Sequence, residues 1–237
     1  PVPGRWQRLG GRALSSTIVA ETVPPQSDPL GPRNTLVITS GLLAGSGASS
    51  STRVSVGAKS PLTGGIKESN IGGQAGYALA SLGIRSLIFE GEGTPTWTVA
   101  HLGPNGLLLE PTNELVGLDV YQTVERLRVQ HGTNAAILAI GPAGEMRLSA
   151  ANIAATDLDG VPARHAGRGG LGAVMGAKRL KAIVIDPIGS RPPKPFDRRA
   201  LSAAARRLAQ ELQAHPTTGK SLPIYGTAVL VSAIAAV

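Results

Sequence analysis

Apolar residues fall in short runs punctuated by glycine and proline, and the period within each run sets the element it predicts. Residues 13–19 read as a short helix, and residues 35–39 as a strand rich in branched side chains. Residues 41–51 are small and loop-like, residues 53–58 alternate as a strand does, and residues 59–64 form a proline turn. Ala75, Ala78, Leu79 and Leu82 recur at helical spacing before Gly83, a stop signal, and Asn70 is a candidate cap for that helix. Strands are predicted at 86–90, 96–101 and 106–110, the last two joined by the turn Pro104-Asn105-Gly106. A helix over 120–130 turns Val120, Val124 and Leu127 inward, and strands follow at 135–140, 148–155 and 180–185. Strands outnumber helices and do not alternate regularly with them, which predicts an α+β domain over residues 1–186.

Residues 187–197 hold four prolines and read as a linker. Asp197 caps a predicted helix to about residue 214, with Leu201, Ala204, Ala205, Leu208 and Leu212 as its apolar stripe. The run after Gly226 is apolar on nearly every side and needs a partner to cover it. Residues 198–237 therefore read as the start of a helical domain, cut short.

Composition narrows the chemistry. Hydrophobic residues make up 42% of 237 residues and aromatics only 3%, so the core must be aliphatic. With 31 glycines and 18 prolines the chain is rich in turns. The absence of cysteine excludes disulfides, zinc–thiolate sites and any cysteine-ligated cluster held by this chain alone. No long uninterrupted apolar run or signal-peptide pattern is present, so the expectation is a soluble, cytoplasmic chain without a membrane role. A net charge of +8 points to a polyanionic partner or to a solvated arginine-rich surface. No nucleic-acid-binding motif accompanies it, and a nucleic-acid partner is not expected.

The most informative run is 163–178, with five glycines, two arginines and a lysine. Bare main chain there can approach a ligand closely, and successive N–H groups can cradle an anion. Gly167-x-Gly169-x-x-Gly172 matches a dinucleotide fingerprint in letters, but residues 157–162 before it read as a turn rather than the required strand. A phosphate-binding P-loop fails as well, because Ala177 follows Gly176. From pattern alone, the run serves equally as an anion cradle or as a bend that packs tightly on a neighbour.

Four blocks in order carry a resemblance. Residues 164–182 run Arg-His-Ala-Gly-Arg-Gly-Gly-Leu-Gly-Ala-Val-Met-Gly-Ala-Lys-Arg-Leu-Lys-Ala. Before them come Lys59-Ser60-Pro61-Leu62-Thr63-Gly64 with Ser69-Asn70-Ile71-Gly72-Gly73, and Ile140-Gly141-Pro142-Ala143-Gly144-Glu145. Tyr225-Gly226-Thr227-Ala228-Val229-Leu230-Val231 is the fourth and weakest block. Together they resemble the N-terminal domain of the tungsten-containing aldehyde ferredoxin oxidoreductases.

That resemblance implies a saddle of β-sheet carrying two pterins that chelate one tungsten or molybdenum, a tungstopterin or molybdopterin cofactor. It also implies a Mg2+ ion shared by the pterin phosphates and bound in part by backbone carbonyls at Asn70 and His165. Arg53, Lys59, Gly72, Gly73, Arg164, Ala166, Gly167, Arg168 and Gly169 are the other implied cofactor contacts. In such an enzyme aldehyde is oxidised to acid, and electrons leave through a 4Fe–4S cluster to ferredoxin or an electron-transfer subunit. The cluster would come from further sequence or a second subunit, and no catalytic residue is expected in this chain. His165 replaces the usual alanine, Val116 a frequent tryptophan, and Arg179 an asparagine. The alternative to an enzyme portion is a non-catalytic cofactor-binding or assembly module of the same descent.

Overall fold

The computed structural model describes residues 3–235; Pro1, Val2 and the last two residues of the C-terminal apolar run lie outside it. The chain forms two compact units. One comprises the chain up to Gly45 and then Ser50–Pro193; the other comprises Ser46–Ser49 and the chain from Lys194 on.

The first unit is an α+β assembly of two sheets. The strands β1 (Leu36–Ser40), β2 (Val54–Lys59), β3 (Ile66–Ile71) and β4 (Ser86–Phe89) form an antiparallel sheet in the order β3-β2-β1-β4. The second sheet holds β5 (Thr98–Gly103), β6 (Gly106–Pro111), β7 (Ala136–Ala139), β8 (Ile153–Ala155), β9 (Arg164–Ala166) and β10 (Leu180–Ile185). Its order is β6-β5-β10-β7-β8-β9, and β10 runs parallel to β5 but antiparallel to β7. The predicted hairpin is present: β5 and β6 pair antiparallel, closing at Gly103 opposite Gly106.

Alternation along the strands explains the layers, because successive side chains point to opposite faces. Leu36 and Ile38 of β1 join Leu138 of β7, Ile183 and Ile185 of β10 in one central core, which also receives helices α2 (Ala75–Ser81) and α5 (Leu171–Ala177). Val37, between them, instead meets Leu14, Ile18 and Val19 of α1 (Gly11–Thr22) on the outer face. Likewise Ile137, Ala139, Ala182 and Val184 turn away from the central core to meet Val124 and Leu127 of α3 (Val120–His131). The aromatic-poor composition is met as expected: the central core is Leu, Ile, Val and Ala, with Met175 and Trp97.

Several elements differ from expectation. Residues 66–71 were not predicted as a strand, since Lys67-Glu68-Ser69-Asn70 shows no apolar alternation, yet they pair with β2 over its whole length. Asn70 is therefore in a strand and not a helix cap; α2 begins after Gln74, with no side-chain cap. Only residues 153–155 of the predicted strand 148–155 are extended. The glycine-rich run 163–178 is no single bend but β9, a turn, and the buried helix α5. A short helix α4 (Pro142–Glu145) follows β7.

In the second unit, Asp197 caps α6 (Arg198–Ala214), its side chain accepting from Ala200 N–H at 2.9 Å. Leu201, Ala205 and Leu212 of the apolar stripe are half-buried, and no residue of α6 is fully buried. After a π-helical turn come α7 (Leu222–Tyr225), a 3-10 turn and α8 (Val231–Ala235), so the apolar run is broken rather than one helix. Among the described residues no helix is long and apolar enough to cross a membrane.

Candidate functional site

Two strands named above have something in common: β3 is the edge of the four-stranded sheet and β9 the edge of the six-stranded one. An edge strand carries main-chain N–H and C=O groups without a partner strand. Asn70 lies on β3 opposite Ser55, and His165 lies on β9 opposite Ala154. Both line one hollow of about 330 Å³, which Arg12, Arg53, Glu68, Gly167 and Arg168 also line. A second hollow of about 360 Å³ is lined by Arg53, Gly72, Gly73, Asp157, Asp159 and Arg164. Arg53 borders both.

The local bonding decides what each residue can offer. Arg53 donates from Nε to the side-chain oxygen of Asn70. The Asn70 amide nitrogen donates to Val54 O and Ser55 Oγ, both at 3.3 Å. His165 Nδ1 lies 3.0 Å from Asn152 Oδ1. A Cβ at Gly72 would stand 3.3 Å from Arg53 Nη1 and 3.9 Å from Arg164 Cδ, so glycine there leaves room between the Arg53 guanidinium and the Arg164 stem. At Gly167 a Cβ would meet nothing within 4 Å: its main chain is open to the hollow. Arg164 and Arg168 are exposed, and among the described residues neither forms an ion pair.

Other expected contacts are not brought into these hollows. Lys59 donates from Nζ to Pro25 O, while its backbone N–H and C=O are both tied to the Asn34 side chain. The Ala166 side chain is buried in the central core, leaving only its main chain. Gly169 packs on Lys67, and its carbonyl accepts from Ser60 Oγ at 2.7 Å. Gly73 does line the second hollow but is also needed for packing, since with φ +112° a Cβ there would lie 2.1 Å from Thr156 O. Gly172 and Gly176 also answer to packing: their Cβ atoms would lie 2.3 Å from Asn152 O and 2.0 Å from Gly144 O. At the start of α2, Gln74 N–H bonds Thr156 O and Gly76 N–H bonds Thr52 O, so those donors are not free for an anion.

Charge in the hollows is mixed but arranged. Four guanidiniums line them against the carboxylates of Glu68, Asp157 and Asp159. Asp157 Oδ1 is turned into its own loop, accepting from Asp159 N–H and Val161 N–H at 3.0 Å each. Glu68 Oε2 accepts from Arg12 Nε at 3.1 Å. The displaced pKa values belong elsewhere. Burial pushes the Lys178 ammonium down to about 8, although its Nζ donates to Asn34 O at 2.7 Å and Gly91 O at 2.9 Å. Burial, and then the neighbouring His101, lower His131.

Among the described residues no group of three or more His, Asp or Glu is placed to hold a metal by itself. A cation here needs oxygens from the main chain and from its ligand, which suits a hard ion bridging phosphates. The arginines, the bare main chain at Gly167 and the gap at Gly72 suit the phosphates themselves. Sequence reasoning missed Arg12 and Glu68. The spacing of Glu68 two residues before Asn70 would have paired them on one face, had β3 been recognised.

Comparison with known proteins agrees with the four blocks. The family model described as "Aldehyde ferredoxin oxidoreductase, N-terminal domain" matches residues 2–187. Tungsten-containing aldehyde ferredoxin oxidoreductase of Thermococcus kodakarensis is 37% identical over 231 residues, covering 97% of this chain and 36% of that protein. The protein of the same name from Pyrococcus furiosus is 36% identical, with the same coverage. An aliphatic sulfonate oxidoreductase, WOR-like subunit, of Pyrococcus furiosus is 29% identical over 220 residues, 86% of this chain and 34% of that one. Among solved structures, the active site complex BamBC of benzoyl coenzyme A reductase, in complex with 1,5-dienoyl-CoA, is similar with a TM-score of 0.79 and 28% identity. That match covers 86% of this chain and 30% of the other. The chain thus spans about a third of the length of these relatives.

Proposed function

Because this chain belongs to the aldehyde ferredoxin oxidoreductase family, as its N-terminal domain, we propose that it holds the cofactor phosphates of a bis-pterin tungsten or molybdenum oxidoreductase. The observation that carries the reading is the shared hollow of Asn70 and His165, built where the edge strands of two different sheets meet. Arg53 and Arg164, on either side of Gly72, hold phosphate oxygens by paired N–H bonds, and Arg168 adds charge from the β9 side. Open main chain at Gly167 lets the ligand approach without displacing a side chain. The main-chain carbonyls of Asn70 and His165 would hold a hard Mg2+ ion, which retains water and so would need few protein ligands. When bound, the metal–dithiolene group supplies the redox chemistry, and these residues supply its position and electrostatic field.

In this reading residues 198–237 begin a helical domain, and the remaining domains or a second subunit complete the enzyme. A 4Fe–4S cluster must then be held by those parts, since it needs cysteines and this chain has none. Such a cluster would supply the route for electrons to ferredoxin or an electron-transfer subunit in the cytoplasm. The aldehyde class of substrate rests on the names of the more similar relatives. Metal and pterin analysis of the protein isolated with its native partners tests the proposal. Tungsten or molybdenum with about two pterins per metal is expected, and Arg53→Ala and Arg164→Ala should lower the pterin content. A protein with no pterin, or variants with undiminished pterin, would refute it.

A further inference from the structure

Glu68 is the acidic residue of the Asn70–His165 hollow, and its bonding is incomplete. It stands two residues before Asn70 on β3, so both side chains leave the strand on the same face. The Glu68 side chain is only 8% exposed. Its Oε2 accepts from Arg12 Nε, while Oε1 is buried with no hydrogen-bond partner among the described residues. A buried anionic oxygen without a donor is costly, because desolvation is not repaid. Beside phosphates it would also be repelled. A divalent cation lying between Glu68 and phosphate oxygens removes both penalties, because such ions gather anionic oxygens.

We propose that Glu68 Oε1 is a ligand, direct or through water, of a hard divalent cation that enters this hollow only together with a phosphate-bearing molecule. The proposal rests on the phosphate reading above. The requirement for both partners follows from the charges. Arg12, Arg53 and Arg168 line the same hollow and oppose a cation that arrives alone. Once phosphates neutralise them, the cation and the phosphates each strengthen the other's binding.

Equilibrium dialysis of the full chain with Mn2+ and inorganic pyrophosphate provides the test, with a melting curve for each variant. Pyrophosphate alone should be retained by the wild type, and Mn2+ only when pyrophosphate is present. Glu68→Gln should weaken Mn2+ retention about tenfold and leave metal-free pyrophosphate binding equal or slightly improved. In the wild-type protein, Mn2+ with pyrophosphate should also broaden the 13C signal of the Glu68 carboxyl, a measurement independent of any variant's folding. Undiminished Mn2+ retention by a folded Glu68→Gln, or an unbroadened Glu68 signal, with pyrophosphate still bound, overturns the role of Glu68 and leaves the phosphate site standing. Failure of the wild type to retain pyrophosphate overturns both.

Discussion

Arg53, just before β2, donates from Nε to the side-chain oxygen of Asn70 on the neighbouring edge strand β3. Asn70 spends its amide nitrogen on Val54 O and Ser55 Oγ. Its side chain is therefore engaged at both ends, and what it offers a ligand is main chain, while Arg53 keeps its remaining N–H groups for the hollow.

The two residues should consequently respond differently to truncation. Arg53→Ala removes a charged donor and is expected to weaken pyrophosphate binding at least about tenfold, as loss of a charged hydrogen bond does. Asn70→Ala removes only the tether of that guanidinium and should cost about threefold or less. Calorimetric titration of both variants checks the order; equal losses would make the Asn70 side chain a ligand in its own right.

Glu145, from the Gly-Pro-Ala-Gly-Glu block, works at a distance from this site. It pairs with the fully buried Lys181 of β10, whose Nζ also donates to Leu118 O at 2.8 Å, and it accepts from Gly117 N–H. Removing one partner leaves the other charge buried and alone. Glu145→Ala or Lys181→Met is expected to cost about 3–5 kcal/mol and lower Tm by about 10 °C in thermal melts. Tm values within a degree or two of wild type would mean water reaches the pair.

The glycines of the 163–178 run should separate into two classes. Gly176→Ala drives a methyl group to within 2.0 Å of Gly144 O, where α4 crosses α5, and is expected to cost about 3 kcal/mol or to abolish folding. Gly167→Ala meets open space, so the protein should melt as wild type while pyrophosphate binding weakens. Thermal melts paired with binding titrations test the contrast, and matching behaviour of the two variants would contradict it.

Lys178 gives a pH dependence with a definite sign. Burial holds its folded-state pKa at about 8, below the ordinary lysine range. Between that value and about 10.4 the unfolded chain carries a proton that the folded chain has released, so stability rises with pH across this window. Below it the penalty of the buried charge is fully present. In Lys178→Met that penalty is gone, so the stability difference between variant and wild type should shift towards the wild type from pH 7.5 to 9.5. Denaturant titrations at both pH values check it; a constant difference would show that the ammonium is solvated.

What the sequence made legible followed from apolar period. Strands β1, β2, β4, β5, β6, β7 and β10 were found, as were α2, α3, α6 and the turn at Gly106, because those elements bury a face whose spacing is visible. The strand that carries Asn70 was missed because β3 is an edge strand: Lys67, Glu68, Ser69 and Asn70 are all polar and carry no core signature. The glycine run was legible as unusual but not as divided. Whether a glycine serves a ligand or a neighbour depends on what stands opposite it. For Gly176 that is Gly144, thirty-two residues earlier in the chain, and for Gly167 it is open space. Lys59 and Lys178 shared the same difficulty, since only the fold shows that both are held by backbone carbonyls. Among the candidate site residues, Arg53, Asn70, Gly72, Gly73, Arg164, His165, Gly167 and Arg168 line the two hollows, and Lys59, Ala166 and Gly169 line neither.

If two sheet edges together form one phosphate site, amide NMR reveals it most directly. Titration of the protein with pyrophosphate and Mg2+ should shift two separated groups of backbone signals together, residues 68–73 of β3 and its following turn and residues 164–168 around β9, along a single saturation curve. Shifts confined to one of these strands, or found instead in the cavity of about 490 Å³ lined by Arg147, Lys178 and Arg179, would contradict it.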